Sequence, residues 1–163
     1  MKQLLCPVDF SETSLNALEY AVSIAEKHKA DLSLVYVFTE EYYNEHLNEG
    51  VKNYQEYEED FKSRLDVIAD EIRSKSFSCT AHVLSGNFLK SIENFIRLKT
   101  IDFLVVGTKG SSDYFDQIVG SNTIKLIDNL DIPILTVPKK AFFEGLNKVV
   151  YATSYRDEDK IAL

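Results

Sequence analysis

The chain has 163 residues, of which 45% are apolar and 27% are charged, and its formal net charge is −8. The length fits one domain with a full hydrophobic core, and the composition argues against intrinsic disorder. The acidic balance disfavours nucleic acids and anionic membranes as partners, and no apolar run approaches the roughly 18 residues that a bilayer span needs. The N-terminus turns polar too early for a signal peptide, so we expect a cytoplasmic protein.

The first half of the chain alternates between short apolar runs and helical patterns. Leu4–Val8 predicts a buried strand, and the apolar residues of Ser11–Lys29 recur at helical spacing. Leu32–Phe38 predicts a second strand. Apolar residues that step by three or four then predict an amphipathic helix over Tyr54–Ile72.

The second half continues this alternation. It predicts strands at Phe77–Leu84, Ile101–Val106 and Ile132–Val137, and helices at Phe88–Leu98 and Asn122–Asn129. Strands and helices that alternate at this spacing indicate a doubly wound α/β fold, with a mostly parallel sheet and helices on both faces. Ligands bind such sheets beyond the carboxyl ends of the strands, where the strand order reverses. We therefore look for a site just after the first and fourth strands.

Three glycines follow the fourth strand. Gly107 and Gly110 close it, and after nine more residues Gly120 and Ser121 open the next helix. Glycines allow a close backbone approach, the amides of such a turn form an anion nest, and a helix start adds unpaired amides. Lys109 can add positive charge. The segment predicts phosphate binding, although it is not a Walker loop, and the alternative is that the glycines only make tight turns.

Asp9 directly follows the first strand, so at the point of strand reversal it should face the glycine segment. A carboxylate there can accept hydrogen bonds from ribose hydroxyls or from an adenine amine. The alternative is that Asp9 caps the following helix, and spacing alone does not choose between the two.

Residues 1–138 resemble the universal stress protein domain. The resemblance rests on the glycine spacing and on Pro7–Glu12, Ala17, Leu18, Ala21, Leu34–Val37 and Pro133–Val137. It implies a five-stranded parallel sheet in the order 3-2-1-4-5, and a family in which one subclass binds ATP and another does not. It also implies that dimers are common, often through the last strand.

The resemblance further implies a nucleotide site. Asp9 would contact the nucleoside, Val37 would offer its backbone to adenine, and the glycines with Ser121 would hold the phosphates and ribose. The complete expected set is Pro7, Asp9, Val37, Gly107, Lys109, Gly110, Gly120, Ser121 and Asn122. The expected ligand is ATP, with or without Mg²⁺, and the expected protein partner is a second copy or a second domain.

The loop between Gly110 and Gly120 departs from the family pattern. Family loops often carry an arginine after the second glycine, whereas this chain has serines followed by Asp113 and Asp116. Carboxylates repel a triphosphate unless they point outward or hold Mg²⁺ through water. Two functions stay open: an ATP-binding regulatory module, and a scaffolding protein that lacks nucleotide and uses the acidic, tyrosine-rich segment Thr39–Asp60.

No catalytic set stands out in the sequence, so we expect at most slow ATP hydrolysis. An adenylyl-transferring enzyme of a related fold is the least favoured alternative. The three histidines share no metal-ligand spacing, and the two cysteines, Cys6 and Cys79, lie in strand-like runs typical of buried hydrophobic residues.

The C-terminal residues resemble the N-terminal ones. Asn147–Leu163 aligns with residues 2–18 at a fixed offset, and Ser154 stands where Asp9 does in the first copy. We therefore predict a domain over residues 1–140, followed in 141–163 by a linker and the start of a second copy. Lys148–Thr153 is its predicted strand.

Overall fold

The computed structural model describes residues 1–39, 43, 54–74, 77–108, 120–145, 148 and 150. Its strands are β1 (Gln3–Pro7), β2 (Asp31–Phe38), β3 (Cys79–Ser85), β4 (Phe103–Thr108) and β5 (Ile134–Pro138). Its helices are α1 (Glu12–His28), α2 (Tyr54–Arg73), α3 (Phe88–Lys99) and α4 (Ser121–Asn129). The strands form one parallel sheet in the order β3-β2-β1-β4-β5, which confirms the predicted fold and strand order.

The sheet separates two hydrophobic cores. Successive residues of a strand point to opposite faces, so Leu4 and Leu5 of β1 enter different cores. The core of Leu4 is closed by α1 and α2, and the core of Leu5 is closed by α3 and α4. Burial on both faces explains why the strands are continuous apolar runs in the sequence.

The ends of α1 follow from local chemistry. Ser11 is the N-cap, and its hydroxyl accepts a hydrogen bond from the Ser14 amide at 3.2 Å. Lys29 ends the helix in the left-handed conformation, and its amide bonds to the Ala25 carbonyl. The predicted limits Ser11–Lys29 are therefore the two caps.

β4 begins two residues later than its predicted start at Ile101. Asp102 lies just before the strand, and its carboxylate accepts hydrogen bonds from the amides of Lys2 and Gln3 at 2.6 and 3.0 Å. The Asp102 amide also donates to the Gln3 carbonyl at 2.9 Å, so Asp102 clamps the start of β1 through both its side chain and its backbone.

Both cysteines are buried, as predicted, with exposed fractions of 0% for Cys6 and 1% for Cys79. Burial raises the pKa of the Cys6 thiol far above its usual range, and it raises the pKa of Cys79 to about 11. Their thiols are therefore protonated at neutral pH, as expected for inert core residues.

The described residues contain no group of three or more His, Cys, Asp or Glu side chains that could hold a metal ion. Within the same part of the chain, no helix combines the length and apolar character that crossing a bilayer requires. The predicted second copy and its strand at Lys148–Thr153 fall almost wholly outside the described residues, so they stay predictions.

Candidate functional site

A cleft of about 350 Å³ opens beyond the carboxyl ends of β1, β2 and β4. The chain leaves β1 toward α1 on one face of the sheet and leaves β4 toward α4 on the other, which opens a gap between them. Every predicted site residue within the described part of the chain lines this cleft: Pro7, Asp9, Val37, Gly107, Gly120, Ser121 and Asn122. Lys109, Gly110 and the loop with the two aspartates lie outside the described residues.

Asp9 borders the cleft and hydrogen-bonds to Ser11, the N-cap of α1. Its Oδ1 accepts hydrogen bonds from the Ser11 amide at 3.0 Å and the Ser11 hydroxyl at 2.5 Å, and its own amide donates to the Ser14 hydroxyl at 3.2 Å. Partial burial tends to raise the pKa of Asp9, but hydrogen bonds from Ser11 and Ser14 outweigh it and leave the pKa below its usual range. Asp9 is therefore an ionised acceptor at neutral pH that is already fixed in place.

Phe10 is the residue of this region that sequence reasoning missed. Its φ is +61°, a conformation that bulky residues rarely adopt. Its ring lies 5.6 Å from that of Tyr36 and 5.9 Å from that of Phe61, and the Arg64 guanidinium covers it at 4.1 Å. This packing holds the chain in the unusual turn that leaves Asp9 at the cleft. The available signal was an aromatic residue within a polar turn.

Gly107 is required by packing. A Cβ there would lie 2.6 Å from the Thr13 carbonyl oxygen and 2.8 Å from its Cγ2. The first turn of α1 therefore passes directly over the end of β4, and no side chain fits between them. This close approach accounts for the glycine without any ligand.

The described residues place no such requirement on Gly120. Its φ is −53°, and a Cβ there would meet none of them within 4 Å. Gly120 is the N-cap of α4 and makes no side-chain cap bond to the first backbone amides of the helix. These amides lie beside the cleft. Ser121 and Asn122 are exposed there, whereas Thr123 is buried, and its hydroxyl lies 3.4 Å from the Gly107 carbonyl oxygen.

Val37 presents backbone groups to the cleft. On the β1 side of β2, the Val35 carbonyl accepts from the Val8 amide at 2.8 Å. Residues two apart in a parallel strand direct their backbone groups to the same neighbour, so the N–H and C=O of Val37 also point to that side. The pairing of β1 with β2 ends at Pro7 and Val35, so these groups lie beyond the ladder.

The lining of the cleft combines apolar and hydroxyl side chains. The apolar ones are Val35, Val37, Phe88 and Val106, and the hydroxyl-bearing ones include Ser11, Ser14, Thr39, Ser121 and Thr123. Asp9 is the one charged residue in the described lining. This mixed lining fits a ligand that has an apolar part and a hydroxylated part.

The sequence matches the universal stress protein family over residues 1–138. The universal stress protein YxiE of Bacillus subtilis is 25% identical over 146 residues, which cover 83% of this chain and 97% of that protein. The structure of UspA from Lactobacillus plantarum is similar with a TM-score of 0.67 at 23% identity, covering 83% of this chain and 97% of that one.

Two other structures with this fold contain nucleotides. One is a universal stress protein in complex with cAMP, with a TM-score of 0.64, 17% identity and coverage of 83% and 96% of the two chains. The other is a family protein from Arabidopsis thaliana with AMP bound, with a TM-score of 0.60, 16% identity and coverage of 86% and 94%. At these identities the likeness shows the fold alone. The family match spans all five strands of the sheet, and the chain belongs to the universal stress protein family.

Proposed function

We propose that this protein is a cytoplasmic regulatory module that binds an adenine nucleotide, with ATP as the expected ligand, in the cleft between β1 and β4. The observation that carries the proposal is Gly120 at the start of α4, a glycine that is required neither by its φ nor by packing against the described residues. Space at this position suits phosphate oxygens, which helix N-termini bind through their amides.

The apolar lining residues support the base. Val37 offers a backbone donor and a backbone acceptor side by side, and the N1 and amino group of adenine form the complementary pair. Val35, Phe88 and Val106 supply the apolar surface for a purine ring. The adenine base therefore has both a hydrogen-bonding edge and a surface to contact.

The polar lining residues support the sugar and the phosphates. Asp9 is ionised and fixed by Ser11, so it can accept hydrogen bonds from ribose hydroxyls without further ordering. Gly120, Ser121 and Asn122 stand at the phosphate end, and Lys109 and Gly110 complete the set in the sequence. The cAMP and AMP in two structural neighbours support an adenine nucleotide as the ligand class.

The proposal includes Mg²⁺ because the charged groups expected near the triphosphate are mostly negative. Asp9 is the one charge in the described lining, and Asp113 and Asp116 follow in the sequence without an arginine. Bound Mg²⁺ lowers the charge of a triphosphate, so we expect ATP to bind more tightly with Mg²⁺ than without it.

Assembly is the proposed output of the module. β5 is an edge strand, and Ile124 and Ile127 of the adjacent α4 are 45% and 49% exposed. No described strand pairs with the outer edge of β5, and such an edge together with exposed apolar side chains suits pairing with a second copy, as the family resemblance implies.

The second candidate is a scaffolding function without nucleotide. The absence of Lys and Arg from the described lining of the cleft favours it, because a triphosphate carries several negative charges. In that case the protein acts through its surfaces, and the cleft stays empty.

Calorimetry separates the two candidates. The wild-type protein is titrated with ATP, with and without Mg²⁺, and purified protein is denatured to identify any released nucleotide. We expect micromolar binding that Gly120→Val weakens by about tenfold or more, because the side chain fills the space that phosphate needs. Asp128→Ala, at an exposed position of the same helix, is the control and should bind normally. A wild-type protein with neither heat of binding nor bound nucleotide would exclude the ATP proposal.

A further inference from the structure

After β5 the chain folds back onto α1. Residues 139–143, called the strap here, run along the exposed side of the helix. The Asn16 side-chain amide donates to the carbonyls of Pro138 and Ala141 at 3.0 and 2.8 Å, and lies 3.4 Å from that of Lys139. One side chain of α1 thus contacts three backbone carbonyls, one at the end of β5 and two in the strap.

Two more residues of α1 contact the strap. The Tyr20 hydroxyl donates to the Phe142 carbonyl at 2.9 Å, and the Tyr20 ring meets the Phe143 ring edge-on at 4.9 Å. Glu12 pairs with Lys139 at 2.7 Å. Residues 12, 16 and 20 are spaced by four, so they form one stripe along the helix. All three residues of this stripe contact the strap.

The strap is held through its backbone. Most of the bonds end on its carbonyl oxygens, whereas the Phe142 side chain is 82% exposed. The exposed ion pair between Glu12 and Lys139 adds little, because solvent screens it. Asn16 is therefore the main attachment.

The same end of α1 is a wall of the cleft. Ser11, Thr13 and Ser14 line it, and Thr13 is packed so closely on Gly107 that a Cβ would clash. The strap fastens α1 on the outward side of this contact, with Asn16 less than one turn beyond Thr13. A shift of this first turn would move the cleft wall.

We propose that Asn16 is a positioning residue for the ligand site: by holding the strap it fixes the first turn of α1, so that strap attachment and ligand binding stabilise each other. The reciprocal part rests on the proposed nucleotide function, because equilibrium coupling acts equally in both directions. On this proposal the strap belongs to the ligand-binding domain.

Asn16→Ala in the full chain tests the inference. Alanine has the higher helix propensity, so the substitution by itself favours α1, and any loosening must come from the lost strap bonds. Without ligand, we expect faster hydrogen exchange at the Ala141 amide of the strap and at the Leu15 amide, which bonds to the Ser11 carbonyl in the first turn. With ligand, we expect ATP affinity to fall about fivefold.

Two variants sharpen the comparison. Tyr20→Phe keeps the ring contact with Phe143 but removes the hydroxyl, so it should give a smaller change in the same direction. Asn94→Ala is the matched control, because this exposed asparagine bonds to Arg97 of its own helix and should leave both measurements unchanged.

The outcomes separate the two proposals. Unchanged exchange at Leu15 in Asn16→Ala overturns the positioning role, whether or not ATP binds. Faster exchange at Leu15 with unaltered ATP affinity also overturns it, while leaving the nucleotide function intact. A wild-type protein that binds no ATP contradicts the nucleotide function and the reciprocal coupling, and the exchange data then decide the positioning role alone.

Discussion

At the scale of single residues, Gly107 and Gly120 are equivalent in the sequence and different in the structure. A side chain at Gly107 would collide with the backbone of Thr13, whereas a Cβ at Gly120 would come within 4 Å of no described residue. Two residues with the same apparent motif role therefore carry different constraints, one from folding and one from the proposed ligand.

The same substitution at both positions tests this difference. Gly107→Ser should lower the free energy of unfolding by about 1–3 kcal/mol, because the helix and strand must move apart. Gly120→Ser should be neutral or slightly stabilising, because serine is a favoured N-cap. Urea unfolding of both variants measures this, and equal losses would contradict the close approach of Thr13.

At the scale of secondary-structure elements, the central strand β1 depends on a clamp outside its own ladder. The carboxylate of Asp102 accepts the amides of Lys2 and Gln3, and these hydrogen bonds hold the pKa of Asp102 below its ordinary value of 3.8. A carboxyl whose pKa is lower in the folded state stabilises the protein above its unfolded pKa. The contribution is lost as pH falls through the folded pKa.

Acid unfolding of Asp102→Asn checks this clamp. The wild type should lose stability as pH falls below about 4, and part of that loss should be absent in the variant, because asparagine does not titrate. Urea midpoints measured from about pH 5 to about pH 3 give the comparison. Asp128→Asn, at an exposed site on α4, is the control, and a variant whose pH dependence equals that of the wild type would contradict the clamp.

At the scale of the whole molecule, the sequence predicts the elements better than their contacts. The runs at Leu4–Val8 and Leu32–Phe38 are apolar because both faces of their strands are buried, so periodicity alone finds them. The apolar runs do not specify the order of the strands in the sheet, and that order was predicted from the family resemblance. The switch-point rule then placed Asp9 and Gly120 in one cleft.

Other features of the site depend on contacts between distant residues. The need for glycine at position 107 follows from Thr13, and the left-handed Phe10 follows from the rings of α2 and β2. Asn16 meets carbonyls more than 120 positions away in the chain. No local sequence pattern specifies such long-range contacts, because they form only when the sheet brings distant residues together.

The two buried thiols can report on local and global opening of the fold, because a buried thiol is alkylated only when it becomes accessible. Cys6 lies in the middle strand and Cys79 in the edge strand β3, where Arg73 bonds to the Cys79 carbonyl. An alkylating reagent reaches each sulfur only when its surroundings open, so labelling rates read out two different fluctuations. Peptide mass spectrometry after timed alkylation should show Cys79 reacting first, through fraying of the sheet edge, and Cys6 only at the rate of global unfolding. Identical rates would mean that the edge and the centre of the sheet open as one unit.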